Sequence, residues 1–132
     1  MHHRRRTAAA LAAVAALAVT LTACGGDDGD QDAKPAPEYK VVHQDKTGNQ
    51  RTVTVEVEST KDTRAVFDAV AKTLDADAGY FVEINCSTGG TAGADNRLGN
   101  GKKAVGRIGA ATTGLNNGAT EYTANKGRTC PK

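Results

Sequence analysis

Arg51 to Glu58 reads Arg-Thr-Val-Thr-Val-Glu-Val-Glu, a strict alternation of apolar and polar residues. A period of two puts Val53, Val55 and Val57 on one side of an extended chain and Thr52, Thr54, Glu56 and Glu58 on the other. A strand with one dry and one wet face belongs to a sheet that is covered on one side. Upstream, Tyr39 to Asp45 alternates more loosely. The turn cluster Thr47-Gly48-Asn49-Gln50 joins the two runs, so they read as a hairpin.

The cover for the valines follows in the chain. Phe67, Val70, Ala71 and Leu74 recur at i, i+3, i+4 and i+7, with Val66 beside them, which predicts an amphipathic helix over Thr63 to Leu74. Ser59 or Thr60 is placed to cap it, with Asp62 near its first turn. Arg64, Asp68 and Lys72 lie at four-residue steps on its polar face. After the breaker Asp75-Ala76-Asp77-Ala78-Gly79, the residues Tyr80, Val82, Ile84 and Cys86 alternate with Phe81, Glu83 and Asn85, a third strand. Beyond Cys86 the pattern fades. Ser87 to Lys102 is glycine-rich and polar and reads as a long loop; Lys103–Ile108 and Ala119–Ala124 are the remaining strand candidates. The expected fold is α+β: a small antiparallel sheet with one packed helix, in the order β-β-α-β followed by one or two short strands.

The N-terminus has a different character. Arg4, Arg5 and Arg6 precede an Ala-rich apolar run from Thr7 to Leu21, shorter than the ~20 residues a spanning helix needs. The run ends in Leu21-Thr22-Ala23-Cys24-Gly25 and is followed by Gly26-Asp27-Asp28-Gly29-Asp30, which cannot sit in lipid. This stretch resembles the signal peptide and lipobox of small bacterial lipoproteins of the actinobacterial kind. The resemblance implies cleavage before Cys24, diacylglyceryl modification of its thiol and an outward-facing domain at the cytoplasmic membrane. It covers the first quarter of the chain and says nothing of the domain. The double arginine also fits twin-arginine export, although a plain charged leader explains it more simply. The expected organisation is a signal peptide over residues 1–23, an acylated Cys24 with a Gly/Asp/Pro linker over 24–38, and a folded domain over 39–132.

With Cys24 assigned to lipid by that resemblance, Cys86 and Cys130 remain as an even pair in an oxidising compartment. A bridge between them would close a loop of about 45 residues, contributing roughly 4 kcal/mol in the chain-entropy model; the alternative is two free thiols. Setting the signal aside removes Arg4, Arg5 and Arg6 from the 17 Lys and Arg, leaving 14 against 15 Asp and Glu. That balance carries no electrostatic footprint for nucleic acid. The chain has no Trp, which also counts against base-stacking platforms.

Few residues suggest chemistry. His43 is the only histidine after the signal, and no Ser/His/Asp or Cys/His arrangement surrounds it. His, Cys and carboxylates nowhere cluster at ligand spacing, and Asp68, Asp75 and Asp77 lack a calcium-loop spacing, so neither a metal nor a cofactor is expected. Glu56 and Glu58 read as solubilising charge on a wet strand face. Asn85-Cys86-Ser87 matches a glycosylation sequon without carrying weight in a bacterial chain. The segment to watch is Ser87 to Lys103: glycine-rich backbone beside Arg97, Lys102 and Lys103 suggests a partner-binding loop. The expectation is a membrane-anchored, non-catalytic interaction domain that meets a protein or envelope component. The rival is a small hydrolase or an inhibitor of one, which a deep pocket joining His43 to a carboxylate would favour.

Overall fold

The alternating valines lie on β2 (Gln50–Val57), which pairs antiparallel with β1 (Tyr39–Gln44) through the expected hairpin. This computed structural model describes residues 35–88 and 96–130. The signal-like segment, Cys24 and most of the linker lie outside the described residues, as does part of the glycine-rich stretch after Thr88. The remaining elements are α1 (Thr63–Lys72), β3 (Ala78–Cys86), β4 (Arg97–Val105), α2 (Gly106–Thr113) and β5 (Thr120–Ala124). The five strands form one sheet in sequence order, β1-β2-β3-β4-β5.

The fold is a small α+β one, as expected, but the sheet is mixed rather than antiparallel. β2 and β3 run parallel, with Val53 opposite Val82 and Val55 opposite Ile84. The cause is α1 itself. A crossover helix returns the chain to the end of the sheet where the previous strand began, and the next strand must then run the same way. The core lies where the two apolar periods meet: Val53, Val55, Val57, Tyr80, Val82 and Ile84 from the sheet pack with Val66, Phe67, Val70 and Leu74. Asp62 enters α1 in the left-handed region (φ 53) and makes no side-chain cap. Neither Ser59 nor Thr60 caps the helix at that position; Ser59 Oγ instead accepts the Lys61 N–H at 3.2 Å, one turn earlier.

The second half departs further from expectation. Arg97–Val105 is a strand flanked by β3 and β5, and only the beginning of the Lys103–Ile108 candidate, up to Val105, belongs to it. The rest opens a second helix, α2, which the sequence patterns do not announce. Asp77 holds that helix start, accepting the Ile108 N–H at 3.1 Å, and Asn117 accepts the Gly106 N–H at 2.8 Å. Gly109 lets α2 lie directly on the sheet, since a Cβ there would overlap backbone at Ala78 and Ala104. α2 therefore covers one end of the sheet face opposite α1. The Cys86–Cys130 disulfide ties the C-terminal segment to β3, with a Cα–Cα distance of 5.4 Å.

Candidate functional site

Cross-strand register decides what the uncovered sheet face displays. Opposite the valine face, one row reads Thr54, Glu83, Asn100 and Thr123, and another reads Thr52, Phe81, Lys102 and Glu121. Outside the end covered by α2, and apart from Phe81, this face is polar and half-exposed. Its charges are organised. Arg97 Nη2 lies 2.8 Å from Glu83 Oε2, and Lys102 Nζ lies 3.5 Å from Glu121 Oε1. Pairs of this exposure contribute little to stability; their effect here is to hold side chains in place.

The three basic residues expected on one loop are all on β4, and they do not act together. A shift in register opposite Ile84 and Asn85 leaves Leu98 outside the ladder and turns it into the core, while Arg97 reaches the open face. Lys102 lies on the open face as well. Lys103 belongs to the opposite face, where its Nζ donates to the carbonyl oxygens of Ala71 and, at 2.8 Å, Leu74. It is a C-terminal cap for α1, placed where a cation meets the negative end of the helix, on the face opposite Arg97 and Lys102.

Arg97 is the most constrained of these side chains. Its Nε donates to Asn85 Oδ1 at 3.3 Å and its Nη1 to Asn100 Oδ1 at 3.2 Å, in addition to the Glu83 ion pair. Asn85 is only 1% exposed, and its Nδ2 has no hydrogen-bond partner among the described residues. A buried amide with an unused donor is costly. Beside Arg97 opens a shallow cleft of about 510 Å³ between the start of β4, the end of β5 and the chain beyond it, lined by Arg97, Asn100, Ala124, Asn125, Lys126 and Arg128. Sequence patterning missed Lys126 and Arg128 because they lie far from Arg97 along the chain and join it only through the fold.

His43 and a carboxylate do meet. His43 Nε2 lies 3.0 Å from Asp45 Oδ1 on the β1–β2 hairpin, with side chains 60% and 41% exposed. Asp45 also accepts the Thr52 N–H at 2.9 Å. That backbone bond, then the contact with His43, holds its carboxyl below the usual carboxylate value. The contact stands on an exposed hairpin rather than in a deep pocket. Among the described residues, no group of three His, Cys, Asp or Glu side chains gathers as a metal site would require. No family model, curated protein or solved structure matches the chain.

Proposed function

We propose that the chain is an envelope lipoprotein. The Met1–Ala23 leader is removed, Cys24 carries the lipid, and the linker to Glu38 lifts the domain over 39–132 off the outer side of the cytoplasmic membrane. The domain acts as a non-catalytic interaction module for a protein or another envelope component. The observation that carries this reading is the uncovered polar face of the sheet. Its side chains are arrayed across neighbouring strands and held by ion pairs and amide contacts, which suits a flat, pre-organised contact surface.

Crosslinking in intact cells followed by pull-down tests the reading. Lys102→Ala/Glu121→Ala on the open face is expected to lose the captured component, while Arg64→Ala/Asp68→Ala on α1 retains it. Equal capture by both would place the contact elsewhere. Anchoring is tested separately. Cys24→Ala is expected to leave the membrane fraction or to accumulate as an uncut precursor, and a wild-type mature N-terminus without lipid by mass spectrometry overturns that part.

The second reading, a small hydrolase or an inhibitor of one, would draw on the His43–Asp45 contact, which lacks the deep pocket that reading calls for. Under that reading His43→Ala abolishes the hydrolytic or inhibitory activity; under the first it leaves capture intact.

A further inference from the structure

We infer that β5 (Thr120–Ala124) is an interaction edge that pairs antiparallel with β5 of a second copy of this chain, joining two domains into one continuous sheet. The inference deepens the proposed reading and rests on it for the membrane that crowds the copies together. The two edges of the sheet, β1 and β5, are built differently. On β1 the register shifts between Val41 and His43, an irregularity of the kind that spoils an edge for further pairing. On β5 the register with β4 is unbroken, from Gly99 opposite Ala124 to Lys103 opposite Thr120. Neither proline nor lysine interrupts this strand. Its one charge, Glu121, already has Lys102 Nζ at 3.5 Å. Thr120, Glu121, Thr123 and Ala124 are exposed.

The ladder to β4 shows which backbone groups point outward. The Ala104 N–H donates to Ala119 O at 3.0 Å, and the Asn125 N–H to Leu98 O at 2.8 Å. Such positions alternate in an antiparallel pair, so Ala119, Glu121, Thr123 and Asn125 turn their N–H and C=O groups toward β4. Thr120, Tyr122 and Ala124 present theirs on the outer side, where no further strand lies among the described residues. A two-fold axis through Tyr122 sets Thr120 opposite Ala124 of the second copy, Tyr122 opposite Tyr122, and Ala124 opposite Thr120. Every outward N–H and C=O of these residues then finds a partner. A slip by one residue sets outward groups against inward ones. A slip by two either sets Glu121 directly against Glu121, where like charges repel, or carries Thr120 past the end of the other strand. Self-complementarity of this kind is what a two-fold contact requires and what an unrelated peptide need not have. The axis stands perpendicular to the sheet, so both open faces lie on the same side and two five-stranded sheets become one of ten. The ladder is short, and two copies tethered to one leaflet meet at the effective concentration it needs.

Cysteine crosslinking of the full chain in intact cells under a mild oxidant provides the test. In the paired edges, residues 121 and 123 of opposite copies lie about 4.5 Å apart between Cα atoms, within disulfide reach. Each residue is about 7–8 Å from its own counterpart, which is too far. Glu121→Cys/Thr123→Cys is therefore expected to form a crosslinked dimer in about tenfold greater yield than either single variant. Val41→Cys/His43→Cys on the irregular edge should stay monomeric. Adding Ala124→Pro removes one outward N–H that β4 does not use, and should lower the β5 crosslink to the level of the single variants with the far-UV spectrum unchanged. In the wild-type chain in neutral-detergent micelles, exchange of the Thr120, Tyr122 and Ala124 amides should slow by about tenfold as protein per micelle rises. Equal crosslinking by single and double variants or at both edges, crosslinks to a different polypeptide only, or outward amides that never gain protection overturns the inference. If Cys24 carries no lipid, the double-against-single comparison at raised protein concentration still decides the ladder. If Cys24 is lipidated and the comparison fails, the ladder alone falls, so the two failures are distinguishable.

Discussion

The two halves of this domain solve the same packing problem with opposite materials. From β1 to β3 the core face of the sheet is written in large apolar residues: Val53, Val55, Val57, Tyr80, Val82 and Ile84. In β4 the equivalent positions are Gly99, Gly101 and Lys103. The apolar bulk over those glycines comes from elsewhere. The Phe67 ring occupies the space a side chain at Gly101 would take, and the Tyr122 ring does the same at Gly99. The two rings stack on each other with centroids 5.2 Å apart. A strand can thus be central to a fold and carry almost no hydrophobic pattern, provided aromatic residues on its neighbours lie across its backbone.

That difference explains what was legible in the sequence. Where a residue's own side chain fills the core, periodicity reveals the element, and the bounds of β1, β2, α1 and β3 fall within two residues of expectation. Strand direction was legible in principle, from the length of the α1 crossover, but the wet-and-dry alternation of β2 suggested an antiparallel sheet instead. β4 was unreadable because its core positions are vacant by design. α2 was unreadable because it begins at Gly106, rests on Gly109 and is anchored by Asp77 from a distant turn. The cleft shares that obscurity, since Lys126 and Arg128 meet Arg97 only through β5 and the disulfide. Of the basic residues that the sequence marks, Arg97 alone lines it.

The patterned half should break most dramatically. Val55 is fully buried, and Val55→Asp places a charge in the core; the expected loss is about 4–5 kcal/mol, enough to unfold a domain of this size. Thr54→Asp, one residue away on the open face, should cost about 1 kcal/mol or less. Urea denaturation of both variants checks this, and comparable losses would mean that the two faces are not as different as the register implies.

Reduction of Cys86–Cys130 should come next. The bond joins the end of the patterned half to the end of the unpatterned one across 44 residues, which corresponds to about 4 kcal/mol in the chain-entropy model. The loss should not be uniform. Amide exchange is expected to quicken first in β5 and the segment after it, with β2 and β3 protected longest. Uniform quickening would show that the two halves open as one unit.

A smaller effect sharpens the role of the glycines. Gly101→Ala drives a methyl group into the Phe67 ring, and overpacking of this kind should cost about 2–3 kcal/mol. Asn100→Ala, on the other face of the same strand, should cost less. If Gly101→Ala is tolerated as easily as Asn100→Ala, the aromatic lid over β4 is looser than its packing implies.

The mildest test is pH, because each half has one group whose titration reports on it. In the hairpin, the Thr52 N–H and then His43 hold the Asp45 carboxyl below its ordinary value of 3.8. A group whose folded value is depressed contributes stability above its unfolded value and loses it as pH falls through the folded one. Asp45 therefore shapes the acid limb, and Asp45→Asn should flatten it. In the other half, burial raises the Tyr122 phenol above its usual 10.0, against smaller opposing effects from the hydrogen bond to Thr63 and the charge of Arg64. The sign reverses: its contribution is complete below the unfolded value and disappears as pH rises through the higher, folded one. Tyr122→Phe keeps the stack on Phe67 but removes the 2.7 Å bond from Tyr122 Oη to Thr63 Oγ1. It should flatten the alkaline limb at a cost of about 1 kcal/mol at neutral pH. Melting temperatures across the pH range separate the two variants, since each should alter one limb and leave the other as in wild type. If Tyr122→Phe instead changes the acid limb, the phenol is coupled to the hairpin, and the division between the two halves does not extend to their electrostatics.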